Sequence, residues 1–225
     1  MHSDTHLIEA IESRIAERSL LKHPFYKAWT EGSLTLEALS DYAQQYYHHV
    51  AAFPTYLSAV HSITEDQPTR RLILDNLMDE EAGSPNHPEL WIQFAESLGV
   101  SESSVKGVSL HAETQQLIDR FRGVCRQGTI EGLTGLYAYE SQIPAVAQSK
   151  IEGLKAFYGL NDPKGLAYFE VHIEADKEHS AVEKQLLADY ITVSSSARAN
   201  GAAEEVLDAL WVMLDGICRR HGIAC

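Results

Sequence analysis

Basic residues are scarce in this chain: 18 Lys and Arg stand against 32 Asp and Glu, a formal charge of −14 over 225 residues. Nucleic acid needs a basic footprint for its phosphates, so it is excluded as a partner, and anionic membrane surfaces with it. Cysteine is just as sparse. Cys125, Cys218 and Cys225 are odd in number, widely spaced and form no CxxC pair, which fits a reducing compartment rather than a disulfide framework. No run reaches the roughly 18 apolar residues that a membrane span needs. The opening MHSDTHLIEAIESR lacks the basic and apolar regions of a signal peptide. A cytoplasmic protein is expected. Runs of period-two alternation are few, and there is no internal repeat, low-complexity segment or long linker, which argues against a sheet and a second domain.

What the chain does have is apolar residues at three and four spacing almost throughout. With 44% hydrophobic and 22% charged residues it can bury one sizeable core. Residues 4–20 read as a first helix with Leu7, Ile8, Ile11 and Ile15 facing inward. Pro24 is placed to open a short helix and Gly32 to close it. A long helical pattern over 35–63 is expected to break or kink at Pro54, because proline removes a hydrogen bond there. Further helices are expected over 67–82, from HPELW onward, over 109–127, over 129–158 with Pro144 inside, and over 162–190. The last spans 203–220 and buries Val206, Leu207, Leu210, Met213, Leu214 and Ile217. The expected fold is all-α, a single domain over 1–225 made of seven to nine helices.

The chemistry centres on VHIEADKEHSAVEK. His172, Asp176 and His179 stand at i, i+4 and i+7, so on a helix they point within roughly 40–60° of one another. Burying two imidazoles and a carboxylate without a cation is costly. As ligands they suit iron, manganese or zinc; a solvated helix face is the alternative. Glu80 lies in the acidic last turn of a helix, where the macrodipole disfavours anions and a cation would offset the cost. His87 follows across the Gly83/Pro85 turn and can face the same cavity. Glu140 is surrounded by Leu133, Leu136, Tyr137 and Ile143, and Pro144 deprives its carbonyl of the usual helical donor. These six residues, from several helices, suit two divalent ions better than one, for dioxygen activation or for hydrolysis.

Other residues are weaker candidates. His48 and His49 are adjacent, so they cannot share a helix face. Trp91 and Phe94 read as core. Cys125 lies between arginines, which would lower its pKa. Lys150 lies ten residues beyond Glu140, about 15 Å along a straight helix, so its spacing suggests a surface lysine. Tyr26, beside Phe25 and Trp29, reads as a core tyrosine. Tyr139 points about 100° away from Glu140 on a regular helix.

HPFYKAW, DYAQQYY, DEEAGSPNHPELW, YAYESQIP and VHIEADKEHS, in that order over essentially the whole chain, resemble the haem-oxygenase-like dimetal oxidases and oxygenases. The likeness is strongest to the branch that includes a death-domain-associated Chlamydia protein. Thiaminase-type and pyrroloquinoline quinone synthase C-like proteins are similar at greater distance. The resemblance implies that Glu80, His87, Glu140, His172, Asp176 and His179 hold two transition metals, diiron or mixed manganese–iron. It further implies synthesis of 4-aminobenzoate, a folate precursor, from the protein's own Tyr26. Lys150 would be the amino donor, Tyr42 and Tyr139 would serve radical transfer, and dioxygen and an external reductant would be consumed. By analogy the protein would be a homodimer; its electron donor is not specified. No counterpart of the thiaminase cysteine nucleophile is found. Two alternatives stay open: a dimetal oxygenase acting on an external amino acid or fatty acid, and a helical interaction protein without enzyme activity.

Overall fold

Local sequence punctuates the chain into helices. The structure, a computed structural model, describes residues 3–224, which form eleven α-helices and one 3-10 turn, with no strand among the described residues. In order they are α1 (Ser3–Glu17), the turn Leu20–Lys22, α2 (Pro24–Thr30), α3 (Leu36–Ile63), α4 (Gln67–Glu81), α5 (His87–Ser97) and α6 (Glu102–Gly107). Then come α7 (Ala112–Val124), α8 (Thr129–Glu140), α9 (Ile143–Phe157), α10 (Pro163–Tyr190) and α11 (Ser196–His221). Proline opens α2, α4, α5, α9 and α10, where its missing N–H costs nothing. Thr35, Asp66, Asn86, Ser101 and Asp162 cap the following helices with side-chain oxygens. At Asn86 the cap is reciprocal, because Glu89 reaches back to the Asn86 N–H. That box fixes the start of α5, and hence the placement of His87.

The all-α expectation holds, but the helix count exceeds the seven to nine expected, for two local reasons. Ser101 nucleates the short α6, and the 129–158 pattern divides into α8 and α9 at Ser141–Gln142. Pro144 does not kink a continuous helix; it falls in the first turn of a new one. Gln142 stabilises the division. Its amide donates to the Ala138 carbonyl at 2.7 Å and its Oε1 accepts from the Leu20 N–H at 2.8 Å. Pro54 behaves oppositely, because α3 runs unbroken through it. Buried Val50, Phe53, Tyr56 and Leu57 around it offset a penalty of about 3 kcal/mol. The last helix begins at Ser196 rather than 203, since Ala199, Ala202 and Ala203 extend its buried face upstream.

α10 packs against α9, α5 and α8; α3 packs against α4, α5 and α7; α11 covers α7 and α8. The buried apolar side chains form one connected cluster reaching from Ile8 on α1 to Cys218 on α11. The expected inward face of α1 is present, with Ile8 and Ile11 buried and Leu7 and Ile15 partly so. All six apolar positions expected on the last helix are buried as well. Trp29 is fully buried against Gly153, where an added Cβ would stand 2.6 Å from the indole. That close approach joins α2 to α9 and brings Tyr26 beside Lys150. Among the described residues no helix is long and apolar enough to cross a membrane.

Candidate metal centre

Four helices bring the six candidate ligands into the interior. α4 carries Glu80 in its last turn, α5 starts on His87, α8 ends on Glu140, and α10 supplies His172, Asp176 and His179 from one stripe. They fall into two groups, Glu80/His87/His172 and Glu140/Asp176/His179, within each of which the ligand atoms lie within 4.8 Å of one another. The groups share a narrow cavity lined by Glu80, His172, Glu140 and Asp176, with Tyr139 and Tyr168 on its wall.

In the first group His87 Nδ1 stands 2.9 Å from Glu80 Oε2, but without hydrogen-bond alignment. The two imidazoles are 4.4 Å apart, centroid to centroid. His172 Nδ1 donates to the Tyr168 carbonyl at 2.6 Å, which leaves Nε2 with a free lone pair. Such an outer hydrogen bond orients a metal-binding histidine and fixes its tautomer. Burial, and then His87, pull His172 down to about 4, so it is neutral and able to ligate. Burial opposes a proton on His87, but contact with Glu80 outweighs it and raises its pKa.

The second group is richer in carboxylate. His179 Nδ1 is 3.7 Å from Glu140 Oε1 and 3.8 Å from Asp176 Oδ1, while its Nε2 donates to Asp79 at 3.1 Å. Asn76 donates to Glu140 Oε1 at 3.0 Å. Burial pushes Asp176 up to about 8, with His179 opposing the shift. His179 is held up at about 9: burial alone would lower it, but Asp176, Glu140 and Asp79 together outweigh that. Burial raises Glu140 also. Protons thus compensate this group's charge, the role a divalent ion fills better. The donor set fits transition metals on a further ground. His87 Nδ1, His179 Nδ1, Glu140 Oε2 and Asp176 Oδ2 are all sealed from solvent with no hydrogen-bond partner.

A second chamber lies alongside, between α2, α3, α8 and α9. The Tyr26 hydroxyl is 3.2 Å from that of Tyr42, and Lys150 Nζ donates to the Tyr42 hydroxyl at 2.8 Å. Tyr42 stacks on Tyr46 at 5.1 Å, and Tyr46 meets the Tyr139 hydroxyl at 2.8 Å. Six aromatic rings surround the amine, those of Tyr42 and Phe169 at 5.0 and 5.3 Å. Burial without a counter-ion pulls Lys150 down to about 7, and burial raises the pKa of all four tyrosines.

Two readings of the bare residues are corrected. Lys150 is not a surface lysine, being only 4% exposed. The straight-helix distance from Glu140 fails because the chain turns between α8 and α9. Cys125 is not activated by its arginine neighbours; it is fully buried, and burial pushes its thiol up to about 12. His48 and His49 diverge as adjacent residues must: His49 is in the core and His48 reaches the Val105 carbonyl. Sequence reasoning missed Tyr46, although Tyr42 and Tyr46 stand at i and i+4, and it missed Glu183. The signal for Glu183 was there, four residues beyond His179 and seven beyond Asp176, on the stripe already identified.

Fold and cluster together define a helical-bundle enzyme built around a carboxylate–imidazole interior suited to metal. The chain belongs to the family described as iron-containing redox enzyme, which it matches over residues 40–214. It is 44% identical to a 4-aminobenzoate synthase of Chlamydia pneumoniae over 93% of this chain and 94% of that protein. Among solved structures it is similar to a CADD-like protein of unknown function from Nostoc punctiforme, with TM-score 0.81, 17% identity and full coverage of both chains. Heme oxygenase-1 of Synechocystis shares the fold at TM-score 0.65 and 16% identity, over 99% of this chain and 93% of that one.

Proposed function

We propose that this enzyme is a dimetal oxygenase that makes 4-aminobenzoate, with its own Tyr26 as the aromatic source and Lys150 as the nitrogen source. Glu80, His87 and His172 would hold one ion, and Glu140, Asp176 and His179 the other. When bound, an iron or manganese–iron pair supplies the activation of dioxygen, with electrons from an external donor. The observation that carries the reading is where the Lys150 amine sits. A tyrosine ring already has the para pattern of 4-aminobenzoate: its Cβ corresponds to the carboxyl carbon, and its hydroxyl stands where the amine must go. Lys150 Nζ is anchored on the Tyr42 hydroxyl, which is itself 3.2 Å from the Tyr26 hydroxyl. This shared contact through Tyr42 supports a nitrogen supplied at the hydroxyl end of the ring.

The side chains of the chamber have complementary tasks. Burial keeps the Tyr26 phenol protonated, so it rests as a neutral ring. Lys150, pulled down to about 7, is a free amine in a large fraction of molecules at neutral pH, as a nitrogen nucleophile must be. Tyr42 accepts the amine's hydrogen bond and aligns it. Tyr139 lines the cavity between the two ligand groups and reaches Tyr42 through Tyr46, which supports a role for these tyrosines in passing oxidising equivalents toward Tyr26. The similarity to a named 4-aminobenzoate synthase supports the product.

A second reading, an oxygenase with an external substrate, draws on one observation. A half-enclosed cavity of about 160 Å³, walled by Leu57, Leu72, Ile73, Leu133 and Leu136, ends at His179. A small apolar molecule there would meet the second ligand group. Product per chain decides between the two. Protein loaded with iron, or with manganese and iron, and given reductant and oxygen should release no more than one 4-aminobenzoate per chain, with mass lost from the peptide that contains Tyr26. Many turnovers that depend on an added small molecule would overturn self-consumption in favour of the cavity.

A further inference from the structure

The half-enclosed cavity of about 160 Å³ that ends at His179 has a lining that selects its occupant. Its walls are aliphatic: Leu57 comes from α3, Ile73 from α4, Leu133 and Leu136 from α8, and Val182 from α10. Polar groups gather at its two ends. The exposed acids Asp75, Asp79 and Glu178 stand at the mouth, and the buried side chains Asn76, His179 and Glu183 at the inner end. Among the described residues no lysine or arginine lines it. A fatty acid or an amino acid would have to carry its carboxylate past the acids, with no guanidinium or ammonium to receive it. A hydrated cation would be drawn to the mouth but would then shed its water against leucine and isoleucine, at high cost. The lining therefore favours a small, neutral, apolar molecule. An apolar cavity of about 150 Å³ takes up xenon or benzene, so there is room here for a diatomic gas.

The inner end stands one side chain away from the narrow cavity of the ligand groups. Asn76 and His179 both touch Glu140, the first by a hydrogen bond of 3.0 Å and the second at 3.7 Å from Nδ1. Glu140 in turn lines the narrow cavity together with Glu80, His172 and Asp176. A molecule that enters past Leu72, which is 40% exposed at the mouth, thus arrives against the second ligand group. On the other side of α10 the approach is different. There an open groove lined by Asp79, Glu174 and Glu178 leads to His87, and it has no aliphatic throat to exclude water or ions.

We propose that the aliphatic cavity between α3, α4, α8 and α10 is the entry site for dioxygen, which it admits and concentrates beside Glu140 and His179. Of the reactants that the proposed function requires, dioxygen alone is small, neutral and apolar, and dispersion contacts with the aliphatic walls suffice to hold it. The inference rests on the reading of the two groups as a metal pair that consumes dioxygen, and it is independent of the fate of Tyr26. It gives the cavity an occupant other than an external organic substrate.

The test reads occupancy and oxidation rather than product. Val182→Phe fills the cavity from α10, and Leu72→Trp covers its mouth. Leu74→Trp is the control, since Leu74 is as exposed on α4 as Leu72 but lies outside the cavity. Circular dichroism verifies that each variant is folded. Xenon under pressure, followed by the methyl NMR shifts of Leu133 and Leu136, should bind wild type and the control and be displaced in Val182→Phe. Protein loaded with Fe(II) without oxygen is then mixed with dioxygen in a stopped-flow spectrometer. Oxidation of the iron should slow several-fold in Val182→Phe and in Leu72→Trp and keep its wild-type rate in Leu74→Trp, while the rate of iron loading and the iron bound per chain stay unchanged in all three. Oxidation at the wild-type rate in both cavity variants would overturn the proposal and point to the groove at His87. Iron loading slowed as much as oxidation would overturn it in favour of an ion entry. Displacement of xenon by a fatty acid or an amino acid would overturn it in favour of an organic substrate, and a wild type that takes up no xenon would overturn it outright. A wild type that takes up xenon but binds no iron, or whose bound Fe(II) does not react with dioxygen, would overturn the dimetal reading instead, and this inference with it.

Discussion

The ligand cluster and the tyrosine–lysine chamber lie side by side in one core, yet neighbouring charge opposes burial in the first and is missing in the second. In the cluster acids and imidazoles face one another: burial raises Asp176 to about 8, while the neighbouring carboxylates hold His179 at about 9 against the pull of burial. In the chamber a single amine has only rings and a hydroxyl for company, so burial strips its proton and Lys150 falls to about 7. A buried basic group beside carboxylates keeps its proton, whereas one without them is neutralised. The first environment is suited to holding cations and the second to presenting a nucleophile.

The most decisive way to separate the two regions is Tyr26→Phe, which removes the hydroxyl that the proposed chemistry replaces and leaves the cluster intact. Release of 4-aminobenzoate should vanish while bound metal per chain stays at the wild-type value. Retained product would take Tyr26 out of its role, and lost metal would show that the regions are not separable.

Next in size is the stability effect of Lys150→Met. Because the folded-state pKa of Lys150 is lowered from 10.5 to about 7, the folded chain resists protonation that the unfolded chain accepts. The lysine therefore costs stability in full below about pH 7, and the cost disappears as pH rises toward 10.5. The methionine variant should be more stable than wild type by on the order of a few kcal/mol at pH 6. That advantage should shrink to near zero by pH 10.5 in urea unfolding. An advantage independent of pH would mean that shape, not charge, sets the cost.

The smallest effect sharpens the other side of the comparison. At pH 7 the coupled pair of Asp176 and His179 holds a proton in the metal-free chain, since burial raises Asp176 and the carboxylates raise His179. An ion bound by the second group must displace that proton, so binding should release it. Calorimetry in buffers of different ionisation enthalpy reads this directly. Release that falls to near zero above about pH 9 is expected, and no release at pH 7 would contradict the proton-sharing picture.

The cluster was far more legible in the sequence than the chamber. His172, Asp176 and His179 lie on one helix at spacings that any α-helix converts into a shared stripe, and the structure brings the other three candidates against that stripe. Glu183 obeyed the same spacing and was passed over, because an acid among other acids on α10 carries no distinguishing local mark. Lys150 was misread for a different reason. Its distance from Glu140 depends on the break at Ser141–Gln142, where Gln142 satisfies the Ala138 carbonyl and the Leu20 N–H together, a contact 122 residues apart in sequence. Pro54 does not end its helix, since its local penalty is fixed but the burial that offsets it depends on packing from other helices.

By itself the sequence determined the helices, their caps and the stripe of metal-type side chains, because hydrogen-bonding rules and the 3.6-residue period act over a few neighbouring residues. Only the tertiary structure decided that a lysine is dry and ringed by aromatics and that Tyr46 links Tyr139 to Tyr42. Burial and the pKa shifts it causes are properties of what surrounds a side chain in space, and those surroundings are assembled from distant segments of the chain.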